Sequence, residues 1–183
     1  MRLFGLAGWK RSGKTELMTR LLPALAARGL RVSAIKEARH DFDIDQPGKD
    51  SFLHRVAGAS EVMLASSHRW ALMQERRGRD DDPRLAEILD RMTPVDLVLV
   101  EGFRHESHRK IEVYRASNGK TLLAPGVATI VGVASDVALD GLQVPVLGID
   151  DTEGVAELVI AQCGLADIAS PPARRIQGGA GQI

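Results

Sequence analysis

Gly8-Trp9-Lys10-Arg11-Ser12-Gly13-Lys14-Thr15 is the stretch that decides the fold. It has the spacing G-x-x-x-x-G-K-[ST] of a phosphate-binding loop. Glycines at both ends let the backbone curl, so that successive N–H groups converge on an anion. A helix opening at Lys14 adds its positive N-terminal end. The Lys14 ammonium is placed to reach the β- and γ-phosphates, and the Thr15 hydroxyl to hold Mg²⁺. All eight residues, Gly8 through Thr15, are therefore expected to bind a nucleotide. Lys10 and Arg11 stand where small residues are commoner, and either face the phosphates or lie in solvent.

The flanks supply the context such a loop needs. Leu3–Ala7 is a short apolar run ended by glycine, which predicts a buried strand. Leu17, Leu21 and Leu25, with Leu22 alongside, form one face of a helix over 14–28. Gly29 suits its C-terminus, and Pro23 should kink it or shift its boundary. Leu30–Ile35 is the next strand. Strand, loop, helix and strand make a βαβ unit with parallel strands.

Further along, a short helix is expected over 51–58 with Asp50 as its cap. Strands are expected at 61–65 and 70–74. Asp82-Pro83 should open a helix carrying Leu85, Ile88, Leu89 and Met92. Leu97–Val100 is a strongly apolar strand that runs into Glu101-Gly102. Strands over 111–114, 129–134 and 144–149 precede a last helix over 151–162, closed by Gly164. The fold expected is α/β, like the P-loop NTPases: a mostly parallel sheet flanked by helices, with extra antiparallel strands. One domain should span 1–165. Residues 166–183, with Pro171-Pro172 and Gly178-Gly179, read as a flexible tail.

Three further acids bear on chemistry. Glu101 ends a buried strand, where a carboxylate can bind Mg²⁺ or orient water. Asp43, between Asp41 and Asp45, follows the second strand, at the sheet edge where ligands of α/β proteins bind. This cluster either holds Mg²⁺ or is solvated loop charge. Lys14, Glu101 and Asp43 are the candidate catalytic residues, and Thr15, Glu101 and Asp43 the candidate metal ligands. Asp136 follows the strand over 129–134. Its carboxylate is suited to accept from guanine N1–H and N2–H₂, although no N-K-x-D motif is present.

Composition narrows the partners. In 183 residues, 24 Lys plus Arg balance 24 Asp plus Glu, so no bulk charge draws the chain to nucleic acid or anionic membrane. Aromatics at 4% disfavour a base-stacking platform. Cys163 is the single cysteine, so an internal disulfide is excluded, and a packed thiol at a helix end is expected. The apolar run before Gly8 is too short for a signal peptide or membrane span, so a cytoplasmic protein is expected.

Together these segments resemble the MobB family, adaptors of molybdopterin-guanine dinucleotide biosynthesis. The resemblance rests on Gly8–Thr15, Asp41–Ser51, His54–Ala59, Arg69–Met73, Leu97–Phe103, Lys110–Val113 and Val133–Asp136, and spans about residues 2–163. It implies a homodimer that binds GTP with Mg²⁺ and hydrolyses it weakly. It also implies a partner, the molybdopterin guanylyltransferase of the MobA family, with molybdopterin itself as a further candidate ligand. The chain departs from the family pattern at Glu37 and Arg39, where histidines are usual, and at Glu16, where Thr is usual. Two other classes compete: a small-molecule kinase with Arg76-Arg77-Gly78-Arg79 as a lid, and an interaction module whose loop holds a structural anion.

Overall fold

The computed structural model describes residues 1–38, 42–78 and 82–169. The chain divides into two compact units. The first comprises residues 1–37 and 91 onward, and the second residues 38–90.

The first unit is built on a six-stranded sheet. Its strands are β1 (Arg2–Ala7), β2 (Val32–Lys36), β5 (Leu97–Glu101), β6 (Lys110–Tyr114), β7 (Ile130–Ser135) and β8 (Val146–Gly148). Their order is β2-β5-β1-β6-β7-β8, and every pairing is parallel. The inner strand β5 reads Leu-Val-Leu-Val-Glu and is buried along its whole length. A continuous apolar run is what a parallel strand covered on both faces requires. Helix α1 (Lys14–Ala26) packs Leu17, Met18, Leu21 and Leu25 into the core, and α4 (Thr152–Cys163) adds Val155, Ala156, Val159 and Ile160.

Helix boundaries follow caps. Asp151 accepts a hydrogen bond from Gly154 N at 2.9 Å and starts α4, and Gly164 at φ 63° ends it. Cys163, the last residue of α4, is buried as expected, and burial pushes its thiol pKa up to about 11. Helix α1 ends at Ala26, two residues early, with Pro23 inside it. Residues 166–169 form a turn in which Ala169 N donates to Leu165 O; the rest of the expected tail, from 170, lies outside the described residues.

The second unit contains α2 (Asp50–Val56), the antiparallel pair β3 (Glu61–Ala65) and β4 (Trp70–Gln74), and α3 (Leu85–Leu89). Two expected caps are corrected. Lys49 holds the cap position of α2, so Asp50 is its first helical residue and supplies acid to the first turn. Arg84 holds that position in α3, leaving Asp82 and Pro83 upstream and Met92 beyond the helix. Register pairs Met63 with Leu72 and Ala65 with Trp70, so Met63, Leu72 and Trp70 share one face. All three are exposed. Among the described residues no helix is long and apolar enough to cross a membrane.

Candidate functional site

The loop expected to bind phosphate leaves the end of β1, at the carboxyl edge of the sheet. Gly8 takes φ 138°. A Cβ there would lie 2.5 Å from Val113 O and 2.7 Å from Ser12 Oγ, so only glycine fits. Gly13 takes φ 96° at the cap position of α1. The Lys14 Nζ folds back over the loop and donates to Gly8 O at 2.9 Å and Trp9 O at 2.7 Å. Ser12 is buried, and among the described residues its hydroxyl has no hydrogen-bond partner. Lys10 and Arg11 are exposed, and Arg11 stands at φ 65°.

Two strand ends and the start of α1 meet beside this loop. Thr15, at the start of α1, donates its hydroxyl to both oxygens of Glu101, at 3.2 and 3.1 Å. Glu101 ends β5 with its side chain only 6% exposed. Its register partner Lys36 ends β2 and forms an ion pair with the same carboxylate. Lys36 was not singled out from the sequence. Its signal was positional: it directly follows the predicted second strand, 30–35, and the structure extends β2 to include it, beside the strand that carries Glu101.

Glu37 is a structural residue of this edge. Its N–H donates to Glu101 O at 2.9 Å, and its Oε2 accepts from Phe103 N at 2.9 Å. It thereby holds the turn in which Gly102 takes φ 105° and Phe103 φ 49°. A Cβ on Gly102 would meet Glu37 Cβ at 2.4 Å.

The segment after β6 walls the other side. The Trp9 indole N–H donates to Thr121 O at 2.9 Å, and Lys120 Nζ lies 5.8 Å from the Trp9 ring centre. Asn118 Nδ2 reaches Lys10 O at 3.5 Å. Glu112 is fully buried and accepts from Leu123 N and Ala124 N at 2.8–3.0 Å. Burial raises its pKa, against those two bonds. Asp136 accepts from Ala116 N at 2.9 Å through one oxygen. Arg115 donates to Glu16 Oε2 at 3.0 Å.

The candidate site residues therefore divide. Gly8 through Thr15, Glu101 and Asp136 all belong to the first unit. Asp43 belongs to the second, where Arg55 Nη2 donates to it at 2.5 Å and Asp45 N at 2.9 Å. The hydrogen bond from Arg55 holds its carboxyl below the usual carboxylate range. Arg55 also meets Glu75 at 3.0 Å and Asp45 at 3.6 Å, so these acids surround a guanidinium. Asp41, Arg39 and His40 lie outside the described residues. Among the described residues no group of three or more His, Cys, Asp or Glu is arranged to hold a metal ion.

Comparison with known proteins adds independent evidence. The family model of molybdopterin guanine dinucleotide synthesis protein B, MobB, matches residues 3–136. The molybdopterin-guanine dinucleotide biosynthesis adapter protein of Escherichia coli K12 is 44% identical over 161 residues, covering 86% of this chain and 91% of that protein. Its counterpart in Haemophilus influenzae is 45% identical over 120 residues, covering 66% and 67%. The crystal structure of a MobB protein homolog from Bacillus stearothermophilus superimposes with a TM-score of 0.66 at 25% identity, covering 90% of this chain and 99% of that one.

Proposed function

This chain belongs to the MobB family, and from that premise we propose that it is a GTP-binding adapter with slow GTPase activity in molybdopterin-guanine dinucleotide synthesis. The observation that carries the proposal is the Thr15 hydroxyl on the Glu101 carboxylate, beside a loop whose Gly8 has no room for a Cβ. One hydroxyl and one carboxylate suit Mg²⁺, which takes few protein ligands and completes its shell with water and phosphate oxygens. The buried Ser12 hydroxyl, without a hydrogen-bond partner among the described residues, is a further polar group within the loop.

Thr15 and Glu101 would hold the Mg²⁺, which supplies charge neutralisation at the phosphates. Lys14 exchanges two backbone carbonyls of its own loop for phosphate oxygens. Asp136 supplies the guanine acceptor. Asp43 belongs to the second unit, where it pairs with Arg55, and is given no part in this proposal.

The proposed partner is a molybdopterin guanylyltransferase, in the cytoplasm, and molybdopterin a further ligand. A second copy of the chain is proposed to cover Met63, Leu72 and Trp70, since a two-stranded hairpin is marginal in water without a packed face. As for the kinase alternative, Arg77 donates to Arg55 O, Gly58 O and Ala59 O at the end of α2, and Arg79 lies outside the described residues.

Calorimetric titration of Mg·GTP against Mg·ATP tests the proposal. Preference for GTP, loss of binding in Lys14→Ala and loss of the preference in Asp136→Asn are expected. Equal GTP and ATP affinities that Asp136→Asn leaves unchanged would remove the guanine assignment. Failure to bind either nucleotide would remove the whole proposal.

A further inference from the structure

We propose that Arg115 is a nucleotide-binding residue of this loop, its guanidinium serving the polyphosphate while Glu16 holds it in position. The inference rests on the reading of the loop as a nucleotide site. Arg115 directly follows the last residue of β6, the strand whose Val113 O abuts Gly8. It therefore leaves the sheet at the edge from which the loop leaves β1. A Cβ on Gly13 would lie 3.2 Å from Arg115 Nε and 3.4 Å from Arg115 Nη2. The guanidinium is thus packed against the backbone of a residue that forms the cradle, next to Lys14.

The hydrogen bonding around it fits a positioned cation. Glu16 Oε2 takes one Arg115 N–H at 3.0 Å, and the backbone just after Arg115 is held by Ala116 N on Asp136. A guanidinium carries five N–H donors in a rigid fork that suits phosphate oxygens. Strengthening the fold is a weak reason for the pair, because the Arg115 and Glu16 side chains are 30% and 59% exposed and a surface pair of this kind contributes little.

Charge supplies the stronger reason. Glu16 puts a carboxylate in the first turn of the helix that receives the phosphates, where it repels them. Arg115 offsets that charge and faces the same anion. Arg20, 3.6 Å from the other Glu16 oxygen, keeps the carboxylate paired when Arg115 shares its donors with phosphate.

The test is a calorimetric titration of Mg·GTP into the full chain and the variants Arg115→Ala, Arg115→Lys, Glu16→Gln and Lys14→Ala, with thermal midpoints measured alongside. A charge-assisted contact to phosphate predicts a loss of about tenfold or more in Arg115→Ala. Arg115→Lys should recover part of it, because a point charge replaces a fork. Glu16→Gln should weaken binding less than Arg115→Ala does, since its amide oxygen still accepts from Arg115 while the repelling charge is gone. Arg115→Ala binding within about twofold of the parent overturns the proposal, and so does equal weakening in Arg115→Ala and Glu16→Gln, which marks a strut between α1 and β6. If the parent fails to bind Mg·GTP, the nucleotide reading falls together with this one. If the parent binds, Lys14→Ala does not and Arg115→Ala binds as the parent does, the Arg115 assignment falls alone.

Discussion

Substituting Gly8 by alanine should damage this protein more than the same change at any open glycine. At φ 138° a Cβ is strained, which costs about 1–2 kcal/mol. It would also stand 2.5 Å from Val113 O, a backbone atom of a strand paired on one side to β1 and on the other to β7. That oxygen cannot retreat without disturbing both ladders, so overpacking adds about 1–3 kcal/mol. Gly29 is the matched control. It takes φ 84° just after α1, and a Cβ there meets nothing within 4 Å. Gly29→Ala should therefore carry the strain alone. The difference of about 1–3 kcal/mol corresponds to roughly 2–12 °C in melting midpoint for a chain of this size. Calorimetric unfolding of the two variants reads it directly. Gly8→Ala should also weaken Mg·GTP binding, because Gly8 O is an acceptor of Lys14. Equal midpoints for the two variants would refute the steric reasoning.

Three other outcomes follow from titratable groups. Asp43 is held below its ordinary 3.8 chiefly by Arg55, so the stability of that pair is complete above 3.8 and is lost as pH falls through the lowered value. An acid unfolding curve of Asp43→Asn should be flatter than the parent's below about pH 4. Both ring nitrogens of His108 are buried, with no hydrogen-bond partner among the described residues, and desolvation, with Lys110 nearby, pushes its pKa down to about 4. Its imidazole should stay neutral at pH 5.5 by NMR, and a midpoint near 6.5 would contradict the burial. The buried Cys163 thiol should resist alkylation at pH 8 in the native protein and react once urea unfolds it.

What the sequence disclosed depended on distance along the chain. The loop was legible because its spacing, its preceding strand and its following helix lie within one βαβ unit. Strands β3 and β4 were legible residue for residue, because the apolar runs Val62–Ala65 and Trp70–Met73 and the polar stretch between them are local. Asp50 and Asp82 misled because each carries a local capping preference: α2 begins one residue earlier, with Asp50 already helical, and α3 begins later, at the buried Leu85. The ion pair of Lys36 with Glu101 spans 65 residues, Glu37 meets Phe103 across 66, and Arg115 meets Glu16 across 99. Partners so far apart leave no pattern in one sequence. The pairing of Asp43 with Arg55, 12 residues on, had no signal in the alternating acids themselves.

Lys14 donates to Gly8 O and Trp9 O, so the curl of the loop is maintained by bonds within the chain. The conformational entropy of shaping the cradle, and the strain at Arg11, are thus entered in the folding equilibrium and not in the association equilibrium. A ligand arriving there trades hydrogen-bond partners with one ammonium and need not order a disordered segment. Mutations that loosen the loop should consequently register first as lowered melting temperature, with weakened affinity emerging only when the loop itself begins to open.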